Sequence, residues 1–195
     1  VEKDVIGSIA ETCYLYGGEE RLTEIFCAPT LKMVSFTVTE KAYSITDSAG
    51  SLTAEVTSDM EAGPEKAASY MGKLTALLYA RYRRGALPVA MVSMDNCSHN
   101  GDKLRAAVTA FADAWVGNGL AEEGFARYVH DGSRVSFPWT MIDKITPRPS
   151  EQIAADLEAI GVEDMQPVIT GKKTYIAPFV NAEKPQYLVI EDSFP

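Results

Sequence analysis

Leu87-Pro88-Val89-Ala90-Met91-Val92-Ser93-Met94 runs into Asp95-Asn96-Cys97-Ser98-His99-Asn100-Gly101, and then into the apolar stripe Leu104, Val108, Phe111 and Trp115. The opening run is short and almost wholly apolar, as in a strand buried on both faces of a parallel sheet. The stripe has helical spacing, and it predicts a helix that begins near Asp102 and stops at Gly117-Asn118-Gly119. Upstream, a helix is predicted from about Pro64 to Arg84. Pro64 suits a first turn, and Ala67, Met71, Leu74, Leu78 and Tyr82 form one face. Arg81, Arg83 and Arg84 read as a solvated last turn before Gly85. Helix, strand, polar loop, helix is the cadence of a doubly wound α/β sheet.

The cadence extends both ways. Val5–Ile9 reads as a strand, Glu19–Phe26 as a short helix and Met33–Thr39 as a β-branched strand. Residues 44–62 read as a long exposed connection. Ala121–Val129 is predicted helical, Val135–Phe137 a short strand, and Ser150 the cap of a helix reaching about Ile160. Thr174–Val180 and Gln186–Ile190 read as two late strands, paired antiparallel across 181–185.

A chain of 195 residues fits one domain of ordinary globular composition. Its 18 basic and 27 acidic side chains give a net charge of −9, which repels phosphate backbones and speaks against nucleic-acid binding. Three cysteines without a C-x-x-C pair predict neither a zinc cage nor a disulfide framework and fit a reducing cytoplasm. No apolar run reaches the length of a membrane span, and Val1-Glu2-Lys3-Asp4 has no signal-peptide character.

In open α/β sheets, ligands bind beyond the carboxyl ends of the strands. Thr39, Glu40 and Lys41 follow one strand there, Asp95, Asn96 and Asn100 another, and Asp143 and Lys144 lie after Phe137-Pro138. The same residues also suit plain structural roles, Asp95 or Asn96 ending a strand and Asn100 capping a helix, and spacing leaves both readings open. Asp95, Ser98 and His99 crowd one loop too closely for a hydrolase triad. Asp95 with His99 lacks a further metal ligand, since the other histidine is the distant His130. Gly117-Asn118-Gly119 follows a helix and reads as its stop.

Four segments carry a family resemblance. Val34-Ser35-Phe36-Thr37-Val38-Thr39-Glu40-Lys41-Ala42-Tyr43 resembles a strand-and-loop motif of the long-chain mannitol dehydrogenase family. Ser93-Met94-Asp95-Asn96 with Asn100-Gly101 is similar to that family's S-C-D-N-x-x-x-N-G segment, with Met94 in place of Cys. Phe137 to Pro147 resembles F-P-x-x-M-V-D-R-I-T-P, with Lys144 in place of Arg, and Gln186 to Phe194 resembles W-V-I-E-D-x-F. Phe137–Pro149 and Ala177–Glu183 lean toward the fructuronate reductase (D-mannonate oxidoreductase) branch.

The resemblance implies an α/β fold: a partial Rossmann-like, mostly parallel sheet with flanking helices and late extra strands. It implies NAD-dependent hydride transfer to a keto sugar acid, with mannitol 2-dehydrogenase or tagaturonate reductase activity as alternatives. A non-catalytic small-ligand module is the reading from another class. Asn96 matches the asparagine that hydrogen-bonds the reacting oxygen, where a fixed amide stabilises developing charge. Asp143 and Asn100 are assigned to substrate, and Thr39, Glu40 and Asp95 to the cofactor; no metal is implied. The family's glycine-rich pyrophosphate turn has no match before Val34, and its general-base lysine lies in a helix beyond the E-D-x-F motif. The whole of 1–195 is therefore expected to be the later part of one nucleotide-binding domain, without the helical catalytic domain. Alone it is expected to lack activity, to bind NAD poorly and to self-associate along an open sheet edge.

Overall fold

The computed structural model describes residues 7–13, 18–142, 148–179 and 188–195. The chain divides into two compact units, residues 1–141 with 190–195, and residues 142–189.

The first unit is built on a parallel sheet. Strand β1 (Met33–Phe36) pairs with β2 (Val89–Ser93), with Met33 opposite Ala90 and Phe36 opposite Ser93. On its other side β2 pairs in parallel with β3 (Val135–Ser136). Every residue of β2 is buried, as its unbroken apolar run requires. Helix α1 (Glu19–Cys27) precedes β1. Helix α2 (Ala54–Ala62) and helix α3 (Tyr70–Arg83) form the crossover that parallel strands need. Helix α4 (Asn100–Gly117) and helix α5 (Glu123–His130) link β2 to β3. Leu78, Leu104, Val108, Phe111, Trp115 and Phe125 are fully buried in the core.

Three expectations for the crossover between β1 and β2 need correction. Residues 44–62 are not merely an exposed connection, because α2 lies within them, capped by the Thr53 hydroxyl and burying Val56, Asp59 and Met60. Pro64 opens a separate 3-10 turn, Pro64–Lys66, and Ser69 caps α3 instead. Asp59 causes that break: its carboxylate accepts from the Ala68 N–H, the Ser69 N–H and the Ser69 hydroxyl, which fixes the chain in a turn before α3. Third, Arg81 is not solvated. It is wholly buried, and its guanidinium donates to the carbonyls of Phe26, Ala28, Leu31, Leu87 and Pro88.

Residues 7–9 form a turn and bend-free coil rather than a strand, and the rest of the strand expected at Val5–Ile9 lies outside the described residues. At the far end of the first unit, β4 (Thr140–Met141) follows β3, and the Glu191 N–H donates to the Trp139 carbonyl at 2.9 Å.

The second unit contains α6 (Glu151–Ala159), which follows Ser150 as expected, and the antiparallel pair β5 (Val168–Ile169) and β6 (Tyr175–Ile176). The partner of β6 is thus β5 and not the later run, whose described strand is β7 (Val189–Ile190). The turn Thr170–Lys173 makes the nearer pairing local: the Thr170 N–H donates to the Thr174 carbonyl at 3.0 Å. Among the described residues, no helix is long and apolar enough to cross a membrane.

Candidate active site at the carboxyl edge of the sheet

Parallel pairing brings the carboxyl ends of β1 and β2 side by side, so the loop after Phe36 meets the loop after Ser93. The first loop tightens into a 3-10 turn, Glu40–Tyr43, that places the Tyr43 ring inside the core. The Tyr43 hydroxyl bonds both the Ser93 hydroxyl and Oδ2 of Asp95. Oδ1 of Asp95 accepts from the Cys97 N–H at 2.8 Å, and the Ser93 hydroxyl lies 3.1 Å from Oδ2. Burial pushes the Asp95 carboxyl up, but the bonds from Tyr43, the Cys97 N–H and Ser93 outweigh it, and the group titrates below the ordinary range. Burial first, and then the Asp95 carboxylate, raise the Tyr43 phenol. The Cys97 thiol is also raised, by burial and by the charges of Asp95 and Glu40.

At the other end of the loop, Asn100 opens α4 and is wholly buried. Its Nδ2 donates to Oγ1 of Thr140 at 2.8 Å and to the Asp95 carbonyl at 3.1 Å. Its Oδ1 accepts from the Gly101 N–H at 2.8 Å and the Thr140 N–H at 3.1 Å. Gly101 sits so tightly under residues 137–139 that a Cβ there would meet the Pro138 carbonyl and Cδ1 of Trp139, each at 2.9 Å. His99 adopts the left-handed conformation, φ 53°, and stacks on Trp139 with centroids 4.2 Å apart.

The structure thus sorts the site residues expected from sequence. Thr39, Glu40 and Asn96 are exposed at the edge, while Asp95 and Asn100 are buried beneath it with their polar atoms engaged by the protein. Glu40 is paired with Lys103 of α4 at 2.6 Å. Asp143, and Lys144 beside it, lie outside the described residues. His99 and His130 serve separate places: His130 lies 2.9 Å from the Asp113 carboxylate. Sequence reading passed over Tyr43, Ser93 and Thr140. All three stand inside the recognised motifs, and that placement is the signal that could have found them.

An exposed amide, hydroxyl and carboxylate at the carboxyl edge of a parallel α/β sheet stand where open α/β folds bind their ligands. The comparisons make the fold particular. Residues 4–192 match the mannitol dehydrogenase Rossmann domain, so the chain belongs to the mannitol dehydrogenase family. It is 49% identical, over all of its length and 36% of the relative's, to a D-mannonate oxidoreductase of Thermotoga maritima. It is 33% identical over 85% of its length to an Aspergillus fumigatus mannitol 2-dehydrogenase, covering 32% of that protein. The solved Pseudomonas fluorescens mannitol 2-dehydrogenase, a ternary complex with NAD and D-mannitol, superposes with a TM-score of 0.60 at 28% identity, covering 96% of this chain and 35% of that one. The chain therefore spans about a third of the length of the relatives it matches.

Proposed function

We propose that this chain is the nucleotide-binding part of an NAD-dependent oxidoreductase that interconverts D-fructuronate and D-mannonate. The observation that carries the reading is the 49% identity to a D-mannonate oxidoreductase along the entire chain. In the reducing direction, hydride adds to the ketone carbon and a proton to its oxygen, giving the alcohol; bound NADH supplies the hydride. As the carbon–oxygen double bond becomes a single bond, charge grows on oxygen. An amide N–H of Asn96 donates there and stabilises it more in the transition state than in the ground state.

Thr39, Glu40 and Asn96 present a hydroxyl, a carboxylate and an amide. That set of polar groups fits ribose hydroxyls and a carboxamide better than phosphates, so we assign Thr39 and Glu40 to the nicotinamide end of the cofactor. Asp95 supports them from beneath through Tyr43 and Cys97. Asp143 is assigned to sugar hydroxyls by its motif. The domain reading is one nucleotide-binding domain that receives its base from another part of the polypeptide. A cytoplasmic setting is supported by Cys13, Cys27 and Cys97, all of them free thiols. Self-association of the isolated chain is assigned to the outer edge of β1, where Met33 is exposed.

The mannitol 2-dehydrogenase reading is favoured by the structural likeness to the Pseudomonas enzyme. One experiment separates them: NADH oxidation by the polypeptide that carries this chain, with D-fructuronate, D-tagaturonate and D-fructose offered in turn. Fructuronate is expected to be reduced with the highest kcat/KM. A preference for fructose replaces the reading with mannitol 2-dehydrogenase, and turnover of none leaves a binding module.

A further inference from the structure

We propose that Thr140 is a positioning residue for Asn96, acting through Asn100; this rests on the oxidoreductase reading above. Asn96 is exposed on a short loop between the end of β2 and the start of α4. A donor that must meet a developing oxyanion has to be held, and among the described residues two anchors serve the loop. The first is Asp95, fixed by Tyr43 and the Cys97 N–H. The second is the Asn100 amide, which bonds the Ser93 and Asp95 carbonyls itself and is braced on both its oxygen and its nitrogen by Thr140.

Three bonds make Thr140 a brace. Its hydroxyl donates to the Ser93 carbonyl at 2.5 Å, accepts from Nδ2 of Asn100 at 2.8 Å, and its N–H donates to Oδ1 of Asn100 at 3.1 Å. The Thr140 side chain thus adds a second link, beside the direct bond from Nδ2 of Asn100 to the Ser93 carbonyl at 3.3 Å, between the last residue of β2 and the first residue of α4, the two ends between which Asn96 sits. A helix cap alone would not need this, because the Gly101 N–H is already satisfied by Oδ1 of Asn100. The backbone at His99, held left-handed against Trp139, is a strained conformation of the kind that persists only where its surroundings enforce it. Buried polar networks of this sort rigidify what they span when every member is satisfied.

The test uses the active polypeptide that carries this chain, with Thr140→Val and Thr140→Ser. Valine keeps the shape and removes the hydroxyl; serine keeps the hydroxyl. Thr140→Val is expected to lower kcat about 10- to 100-fold, the scale of an ångström-sized misplacement, with KM for the keto acid little changed. Thr140→Ser is expected to restore most of the rate. Amide exchange at residues 96–99 should quicken about tenfold in the valine variant, the worth of one hydrogen bond, and not in the serine variant. The loss in Asn100→Ala with Thr140→Val should not exceed that of Asn100→Ala, since both cut one brace. Wild-type kcat in a folded Thr140→Val enzyme overturns the proposal, as does equal impairment by serine. Loss of the fold in every variant also overturns it, making Thr140 a folding residue only. A wild type that reduces no keto sugar acid defeats the oxidoreductase reading instead, and the exchange measurement still decides whether Thr140 holds the loop.

Discussion

The Tyr43 hydroxyl donates to the Asp95 carboxylate, tying the loop after β1 to the loop after β2. The two residues are 52 positions apart, and only the parallel register of the strands brings them together. The bond has consequences for both stability and pH response. Tyr43→Phe removes a buried hydrogen bond to a charged group, worth about 1.5–3 kcal/mol. It also lets the Asp95 carboxyl rise toward its ordinary value. A carboxyl depressed in the fold stabilises above its unfolded value of about 3.9 and loses that contribution as pH falls through the folded value. Tyr43→Phe should therefore lower the urea midpoint at neutral pH and move acid unfolding to higher pH. An unchanged acid midpoint would show that Asp95 takes its stabilisation elsewhere.

Asn96→Ala tests the oxyanion role. If the amide bonds the reacting oxygen more strongly in the transition state, kcat and kcat/KM fall together. The loss should be on the order of 10²–10³-fold, as for removal of one oxyanion donor. Steady-state kinetics with fructuronate reads it directly; a change confined to KM would make Asn96 a plain binding residue.

Much of the site's frame is legible in the sequence. The apolar run at 87–94 is unambiguous because a strand buried on both faces has no polar alternation, and its polar terminus marks the carboxyl edge. The buried half of the site was not legible. Asp95 and Asn96 are adjacent in sequence and chemically alike, and only the fold decides that one is buried under Tyr43 while the other is exposed. Asn100 has the residue type of either a ligand or a cap, and its partner Thr140 is 40 positions away. Helix α2 was hidden because its sequence is mostly small and polar, yet Thr53 before it and Gly63 after it, with Val56, Asp59 and Met60 at helical spacing, were the available signals.

Gly101→Ala tests the close approach of α4 to residues 137–139. An added Cβ meets backbone carbonyls, which cannot swing aside as a flexible side chain would. Alanine is the better helix former, so propensity alone predicts a gain of about 1 kcal/mol. The steric term should win, with a net loss of about 1–3 kcal/mol, as for overpacking in a close-packed interior. Denaturant unfolding decides the sign, and activity should fall with it if the Asn96 loop shifts.

Alkaline stability should report the phenols raised in the fold. Burial first, and then the bond to Glu122, push Tyr79 up to about 12, and burial pushes Tyr128 up to about 12; Tyr43 is also raised. Groups raised in the fold contribute fully below their unfolded value, about 10 for tyrosine, and lose that contribution as pH climbs through the folded value. Stability should thus decline from about pH 10 upward, the window set by those shifts. Phenolate absorbance should show these tyrosines titrating late, together with unfolding; ordinary titration of all of them in the folded protein would contradict the buried placement of Tyr43 and Tyr128.

Arg81 is the sharpest stability prediction. It follows Leu74 and Leu78 at helical spacing, so it lies on the buried stripe of α3 and not on its solvated side. Its guanidinium donates to carbonyls from three stretches: Phe26 and Ala28 at the end of α1, Leu31 before β1, and Leu87 and Pro88 before β2. It therefore fixes where β1 and β2 begin, and with them the register that brings Tyr43 to Asp95. Leu87 keeps a second donor in the Tyr128 hydroxyl, at 2.7 Å. The Ala28 carbonyl keeps the Leu31 N–H at 3.2 Å, while those of Phe26, Leu31 and Pro88 lose the Arg81 donor if the side chain is truncated. Arg81→Met preserves bulk but removes every donor, and should cost about 4 kcal/mol or more, since each buried acceptor left unpaired costs about 1–3 kcal/mol. Arg81→Lys should recover only part, because a compact ammonium with three donors cannot span a fork of five bonds. Chemical denaturation of both variants gives the ordering wild type, lysine, methionine. Equal stability of methionine and wild type would mean that desolvating the charge offsets all five bonds, and that burial of Arg81 serves something other than stability.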